Sequence, residues 1–280
     1  MQSTPGILQK ADPARWRQHL FGIPLDRWNR LRDKSFWITG AGTGYGRSIA
    51  VALAASGGQV FLTGRRRHKL EETLAEMRAL SISTDACHVV EADITQSTEV
   101  LAACAYVGRH SDSLYGLINN AALPASGHPY PLQDGSPGEW DRIIRTNLSA
   151  HWFVTREIFP QMRKGGTVRV MFMTSEAGWA DTPGFGPYNI VKSAINSLTA
   201  SMAAEFASRF PELDLQINGL IPGEAKTEMN QGSTESPYSV VCMALTLLSH
   251  PQAGPNGKFF HRDGRHFGFA YAAPYDKLLF

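Results

Sequence analysis

Thr39-Gly40-Ala41-Gly42-Thr43-Gly44-Tyr45-Gly46 follows the apolar run Ser35-Phe36-Trp37-Ile38 and leads into Arg47-Ser48-Ile49-Ala50-Val51-Ala52-Leu53. A β-prone run, a glycine-rich turn and a helical pattern stand in that order. Glycines there let the backbone approach a pyrophosphate, and the first helical turn offers free N–H groups at the positive end of a dipole. Counted from Gly40, the spacing is Gly-x3-Gly-x-Gly, not the Gly-x-Gly-x2-Gly of many dinucleotide folds. Taken alone, the loop admits an ordinary turn as well as a nucleotide site. Its place at the first strand–helix junction of an alternating chain favours the nucleotide.

Outward from this loop, Ser35–Thr39, Gln59–Thr63, Ala86–Glu91, Leu114–Ile118, Thr167–Met173, Leu213–Gly219 and Lys258–His261 read as strands. Gly44–Ser56, Arg67–Leu80, Gln96–Gly108, Pro137–Met162, Pro187–Arg209 and Ser236–Ser249 carry helical patterns. Such alternation argues for βαβ units and a parallel sheet. The strands are continuous apolar runs, as expected where both faces are covered. The fold class is α/β: a Rossmann-type doubly wound parallel sheet with helices on both faces, in one domain over residues 31–264. A basic extension, residues 1–30, precedes it, and an aromatic tail, residues 265–280, follows. The tail's Phe267, Phe269, Tyr271, Tyr275 and Phe280 predict burial on the domain or in a subunit contact.

The 280 residues are 43% hydrophobic and 19% charged, which supports a core and excludes a disordered chain. No apolar run reaches the ~18–20 residues of a membrane helix, and the N-terminus lacks the apolar stretch of a signal peptide. Three cysteines (Cys87, Cys104, Cys242) exclude a disulfide-dense scaffold, and the odd number points to a reducing, cytoplasmic compartment. Residues 1–34 carry seven Lys or Arg against three Asp, a net +4, while the whole chain is +2. The body is therefore net −2, so nucleic acid is not expected as a partner. Trp16, Leu20, Ile23, Trp28 and Leu31 make the leader loosely amphipathic. Pro24 interrupts a membrane-lying helix, so docking on its own domain or a partner subunit is favoured.

The second strand runs into Gly64-Arg65-Arg66-Arg67. In a dinucleotide site a carboxylate here would take the ribose hydroxyls of NAD, whereas arginine suits the 2′-phosphate of NADP. Basic residues are mildly unfavourable at a helix start, so the cluster argues for phosphate, with Arg65 the first candidate and Arg66 the second. Further on, Tyr188 and Lys192 are four apart and share a helix face. A nearby ammonium favours the phenolate, and moving a tyrosine by two to three pKa units takes roughly 3–4 kcal/mol. Alone, this pair also occurs by chance on many helices.

Thr39-Gly40-x3-Gly44-x-Gly46, Asn119-Asn120-Ala121-Ala122, Ser175 and Tyr188-x3-Lys192, in that order, resemble the short-chain dehydrogenase/reductase family. The likeness is to its single-domain branch, including 3-oxoacyl reductase-like members, and covers about residues 31–264. Asp93-Ile94 after the third strand, Thr146-Asn147 on the long fourth helix and Asn218-x3-Pro222-Gly223-x3-Thr227 after the sixth strand extend it. The resemblance implies an NADP-dependent oxidoreductase that interconverts a carbonyl and a secondary alcohol, with NADP(H) preferred over NAD(H). It implies Tyr188 as general acid/base, Lys192 as the group that lowers its pKa and holds the nicotinamide ribose, and Ser175 as hydrogen-bond donor to the substrate oxygen. Asn147 would position a water next to Lys192. Gly40, Thr43, Gly44, Tyr45 and Gly46 would cradle the cofactor, Asp93 and Ile94 its adenine, and Asn120 and Ala121 its adenosine ribose. Pro222 and Gly223 would join the cofactor site, and Ala225 and Thr227 would meet its carboxamide and phosphate. Relatives' assemblies imply a homodimer or homotetramer on the long fourth and fifth helices.

The chain departs from the pattern in two places. It has Asp263-Gly264-Arg265 where relatives often have Asp-Gly-Gly, and only Glu228–Ser236 separates Thr227 from the next helix, which implies a short lid. The Gly/Pro-rich loop from Leu123 to Pro137, with Trp179 and Phe185, is expected at the border of a substrate pocket. His261, Asp263 and His266 fit no metal-ligand spacing, so no metal is expected. Two other classes compete: a cofactor-binding regulatory or scaffold protein without turnover, and a nucleotide-sugar epimerase or dehydratase. The first need not retain Asn147, Ser175, Tyr188 and Lys192 together. The second expects a longer C-terminal substrate domain.

Overall fold

β1 (Ser35–Thr39) is buried along its whole length. Side chains alternate across a strand, so Phe36 and Ile38 enter one apolar cluster and Trp37 the other. This is the physical origin of two covered faces. The structure is a computed structural model that describes residues 12–124, 130–180 and 183–268.

The remaining strands are β2 (Gln59–Gly64), β3 (Cys87–Glu91), β4 (Gly116–Asn119), β5 (Thr167–Met173), β6 (Asp214–Ile221), β7 (Phe259–His261) and β8 (His266–Phe267). Their order in the sheet is β3-β2-β1-β4-β5-β6-β7-β8. All pairings are parallel except β7 with β8. β8 is an element that the sequence pattern did not show. The chain reverses its winding between β1 and β4, in register at Ile38 and Ile118. In such sheets the crevice beyond the strand ends at the reversal takes the ligand.

The helices are α1 (Trp16–His19), α2 (Leu25–Asn29), α3 (Gly44–Ala55), α4 (Arg67–Ala79), α5 (Ser97–His110), α6 (Pro137–Ile144), α7 (Ala150–Arg163), α8 (Pro187–Arg209) and α9 (Val241–Leu248). α3, α4 and α9 pack on the face of Phe36 and Ile38, and α5, α7 and α8 on the face of Trp37. The stretch read as one helix from Pro137 contains a π turn at Arg145–Ser149. The helix read from Ser236 opens instead as a 3-10 turn, Pro237–Val240, capped by Ser236.

The leader docks on its own domain. Phe21, Ile23, Trp28 and Leu31 are buried in the cluster with α3, α4 and α9. Trp16 stacks on Trp28 and donates its indole N–H to the Leu80 carbonyl. Arg17 donates to the Ser81 carbonyl at 2.6 Å, just past the end of α4. Arg27 donates to the Thr246 carbonyl and to Ser249 Oγ, at the end of α9. Both guanidiniums thus sit where helix C-termini present unpaired carbonyls and a negative dipole end. That placement accounts for part of the leader's basic character. Of the aromatic tail, Phe269, Tyr271, Tyr275 and Phe280 lie outside the described residues.

Candidate active site

A cavity of about 400 Å³ opens at the reversal between β1 and β4. Its floor is the glycine loop. Gly40 and Gly44 have φ of +68° and +53°, in the region that favours glycine. A Cβ on Gly40 would come within 2.8 Å of Ala121 Cα, and one on Gly46 would press into the Gly40 carbonyl and the Asn120 amide. Asn120 explains this closeness, since its side chain donates to the Thr39 and Gly40 carbonyls at 3.0 and 3.1 Å. Thr39 Oγ1 in turn accepts from the Asn120 backbone N–H at 3.0 Å. The ends of β1 and β4 are thereby tied together. Thr43 stands at the N-terminus of α3 without making a side-chain cap, so the first-turn N–H groups are not taken up by it. An uncapped helix start walled by glycines suits a diphosphate.

Gly40, Thr43, Gly44, Tyr45, Arg65, Arg66, Asp93, Ile94, Asn120, Ala121, Tyr188, Lys192, Pro222 and Thr227 all line this cavity. Gly46, Asn147, Ser175, Gly223 and Ala225 do not, yet most of them touch the residues that do. Gly46 lies under the loop, as above. Gly223 accepts the Tyr45 hydroxyl through its carbonyl at 2.7 Å, and burial pushes the Tyr45 phenol up to about 12. Ala225 is buried. Thr227 Cγ2 would be 3.1 Å from a Cβ on Gly44. Asp93 is engaged within its own turn, accepting from the Thr95 N–H and hydroxyl at 2.9 and 2.8 Å.

At the other end of the cavity the proton-bearing groups converge. Ser175 lies two residues past β5 and caps the 3-10 turn Glu176–Gly178 through the Ala177 N–H. That turn lies flat on α8 because Gly178 has no side chain; a Cβ there would be 2.7 Å from Asn196 Nδ2. Burial raises the Tyr188 pKa, and the neighbouring Ser175 hydroxyl opposes the rise. Lys192 is buried, donates Nζ to the Met173 carbonyl at 2.8 Å and lies 5.5 Å from the Tyr188 ring centre. Desolvation lowers it to about 8.

Asn147 sits in the π turn, but its side chain closes a two-way pair with the Leu123 backbone: Nδ2 donates to the carbonyl at 2.9 Å and Oδ1 accepts the N–H at 2.7 Å. Its amide anchors the loop after β4. Trp179 is not among the cavity residues. It packs on Phe259 and Phe267 and donates to the Gly268 carbonyl at 2.8 Å. The loop after β4 does border the cavity, through Leu123 and Pro124, whereas Phe185, bridged to Tyr130, is not among the cavity residues.

Lys69, Glu228 and Met229 also line the cavity, and sequence reasoning passed over them. Lys69 is on the first turn of α4, next to the arginines already singled out. Glu228 and Met229 follow Thr227 and meet the cavity only because the loop from Lys226 folds back, with Lys226 N–H bonded to the Glu235 carbonyl at 2.8 Å. Thr146, Met173 and Thr174 complete the wall beside Lys192.

The family model described as short chain dehydrogenase matches residues 34–237. Dehydrogenase/reductase SDR family member 4 of Sus scrofa is 29% identical over 255 residues, which cover 88% of this chain and 87% of the relative. Gluconate 5-dehydrogenase of Gluconobacter oxydans is 30% identical over 194 residues, 69% of this chain and 72% of the relative. Among solved structures, a short chain dehydrogenase from Salmonella enterica superposes with a TM-score of 0.75 at 21% identity, over 84% of this chain and 98% of that one. A short chain dehydrogenase from Escherichia coli complexed with NADPH gives 0.75 at 22% identity, over the same shares.

Proposed function

The chain belongs to the short-chain dehydrogenase family of oxidoreductases, and on that footing we propose that it interconverts a carbonyl and a secondary alcohol using NADP(H) in preference to NAD(H). The observation that carries this reading is Tyr188 and buried Lys192 together in the wall of one cavity, Lys192 Nζ 5.5 Å from the Tyr188 ring centre, with Arg65 lining the same cavity. The glycine loop and the uncapped start of α3 lie between them and fit the pyrophosphate. The NADPH held by the Escherichia coli relative supports the same choice. When bound, the cofactor supplies or accepts the hydride.

In the reductive direction Tyr188 gives its hydroxyl proton to the carbonyl oxygen as the carbon receives hydride. Ser175 donates a hydrogen bond to that oxygen and favours the charge that develops on it. Lys192, fixed by the Met173 carbonyl, stabilises the phenolate left on Tyr188 until a proton is regained. Its pKa of about 8 keeps it mostly protonated at pH 7. The small, odd number of cysteines fits the reducing, cytoplasmic setting of this reading.

The test is NADPH oxidation by the whole chain over a panel of keto substrates, with Tyr188→Phe alongside. The wild type is expected to turn over at least one compound. The variant should lose about 10²–10⁴ in kcat, the scale of general acid–base catalysis, while NADPH Kd stays within about twofold. Unchanged turnover in Tyr188→Phe sinks the mechanism. Tight NADPH binding without oxidation of any compound would favour the scaffold reading.

A further inference from the structure

Four cations cluster where β2 runs into α4, and three of them are already matched. Arg67 pairs with Glu71 at 2.9 Å and Lys69 with Glu72 at 3.0 Å. Arg66 reaches out of α4's own carboxylates altogether, to Glu228 Oε2 at 2.6 Å. Lys69 lies 3.7 Å from Glu228 Oε1 as well. Arg65 has no carboxylate within ion-pair distance among the described residues. Arg65, Arg66, Lys69 and Glu228 all line the same end of the cavity.

Glu228 belongs to a different part of the chain, the loop after β6. That loop is closed by its own backbone bonds, Thr227 N–H to the Asn230 carbonyl at 3.0 Å and Lys226 N–H to the Glu235 carbonyl at 2.8 Å, and its Thr227 and Glu228 line the cavity. A carboxylate is thus brought by tertiary folding to the place where the second strand supplies none. We infer that Glu228 is a specificity-determining residue that works against the 2′-phosphate of NADP(H) by occupying Arg66, leaving Arg65 as the phosphate's first partner. The inference rests on the proposed nicotinamide site.

The physical reasoning is competition for one guanidinium. A dianionic phosphate is the stronger acceptor, but it must separate Arg66 from Glu228 and then lie beside a carboxylate. Both side chains of the pair are about half exposed, so the pair is weak, and the penalty is a modest factor rather than a block. NADH has no phosphate there and leaves the pair intact.

The experiment measures Kd for NADPH and NADH with the full chain as wild type, Glu228→Gln and Arg65→Ala, at low salt and at about 1 M salt. Glu228→Gln is expected to shift the NADPH-to-NADH affinity ratio about fivefold towards NADPH at low salt. The shift should shrink at 1 M salt, where the Debye length is ~3 Å. The ratio is informative whichever cofactor the wild type prefers. A ratio unchanged or moved towards NADH in Glu228→Gln overturns the inference. Failure of the underlying cofactor reading shows separately, as an Arg65→Ala ratio equal to the wild type's.

Discussion

His151 lies one turn beyond Asn147, and its environment sets its charge. It is 3% exposed, and Nε2 is 2.7 Å from the Ala121 carbonyl, so that nitrogen carries the hydrogen. Nδ1 is buried with no protein partner among the described residues. Burial first, then the Lys192 charge, push the imidazole down to about 4, against the pull of the Ala121 bond. A neutral ring beside Lys192 adds no second positive charge next to Tyr188. In the unfolded chain the same ring titrates near 6.5. Between pH 6.5 and 4 the unfolded state therefore holds more protons, and stability falls as pH falls through that window. The contribution is complete above pH 6.5 and amounts to roughly 3 kcal/mol. His151→Gln keeps a donor for Ala121 without titrating. Urea unfolding at pH 7 and pH 5 should show the wild type losing about 2 kcal/mol more than this variant. Equal pH slopes would contradict a buried neutral histidine. No local pattern marks His151, because its partners come from the loop after β4 and from α8.

The glycine loop is the element whose form was most legible, because four alternating glycines at a strand–helix junction leave few other uses for that stretch. Only the fold shows which glycine meets what. Gly46 is inside α3, where alanine is ordinarily preferred by ~1 kcal/mol. Yet a Cβ at this position collides with the Gly40 carbonyl and the Asn120 amide. Gly46→Ala should raise the NADPH Kd at least about tenfold and cost about 1–3 kcal/mol of stability. Fluorescence titration and thermal unfolding measure both. Wild-type affinity in this variant would show that the Gly40–Gly46 contact does not shape the binding loop. The π turn at Arg145–Ser149 was not legible. Its residues have helical character, and the extra residue per turn is accommodated where Asn147 reaches across to Leu123. β8 was missed for a similar reason: a two-residue strand exists only through its pairing with β7.

At the scale of the molecule, the leader is part of the core rather than an appendage. Trp28 is 4% exposed and packs between Trp16 and Phe21, and Phe21 stacks on Tyr238. Tyr238 donates its hydroxyl to the Glu76 carboxylate of α4. Trp28→Ala should therefore cost about 3–5 kcal/mol, the scale of a buried aromatic removed from a packed interior. Denaturant unfolding checks it, and a loss below ~1 kcal/mol would mean that the leader rests on the domain without stabilising it. By itself the sequence determined the alternation of strands and helices, the glycine loop, and the Ser175, Tyr188 and Lys192 set. These are written in local periodicity and in fixed short spacings, which the chain carries before it folds. Tertiary structure alone decided that Glu228 faces Arg66, that Asn147 serves Leu123, that His151 stands beside Lys192, and that the basic leader finds the carbonyl ends of α4 and α9. Each joins residues far apart in the chain. Such pairs depend on which surfaces the two-sided burial of the sheet brings together, and no window of sequence contains both partners.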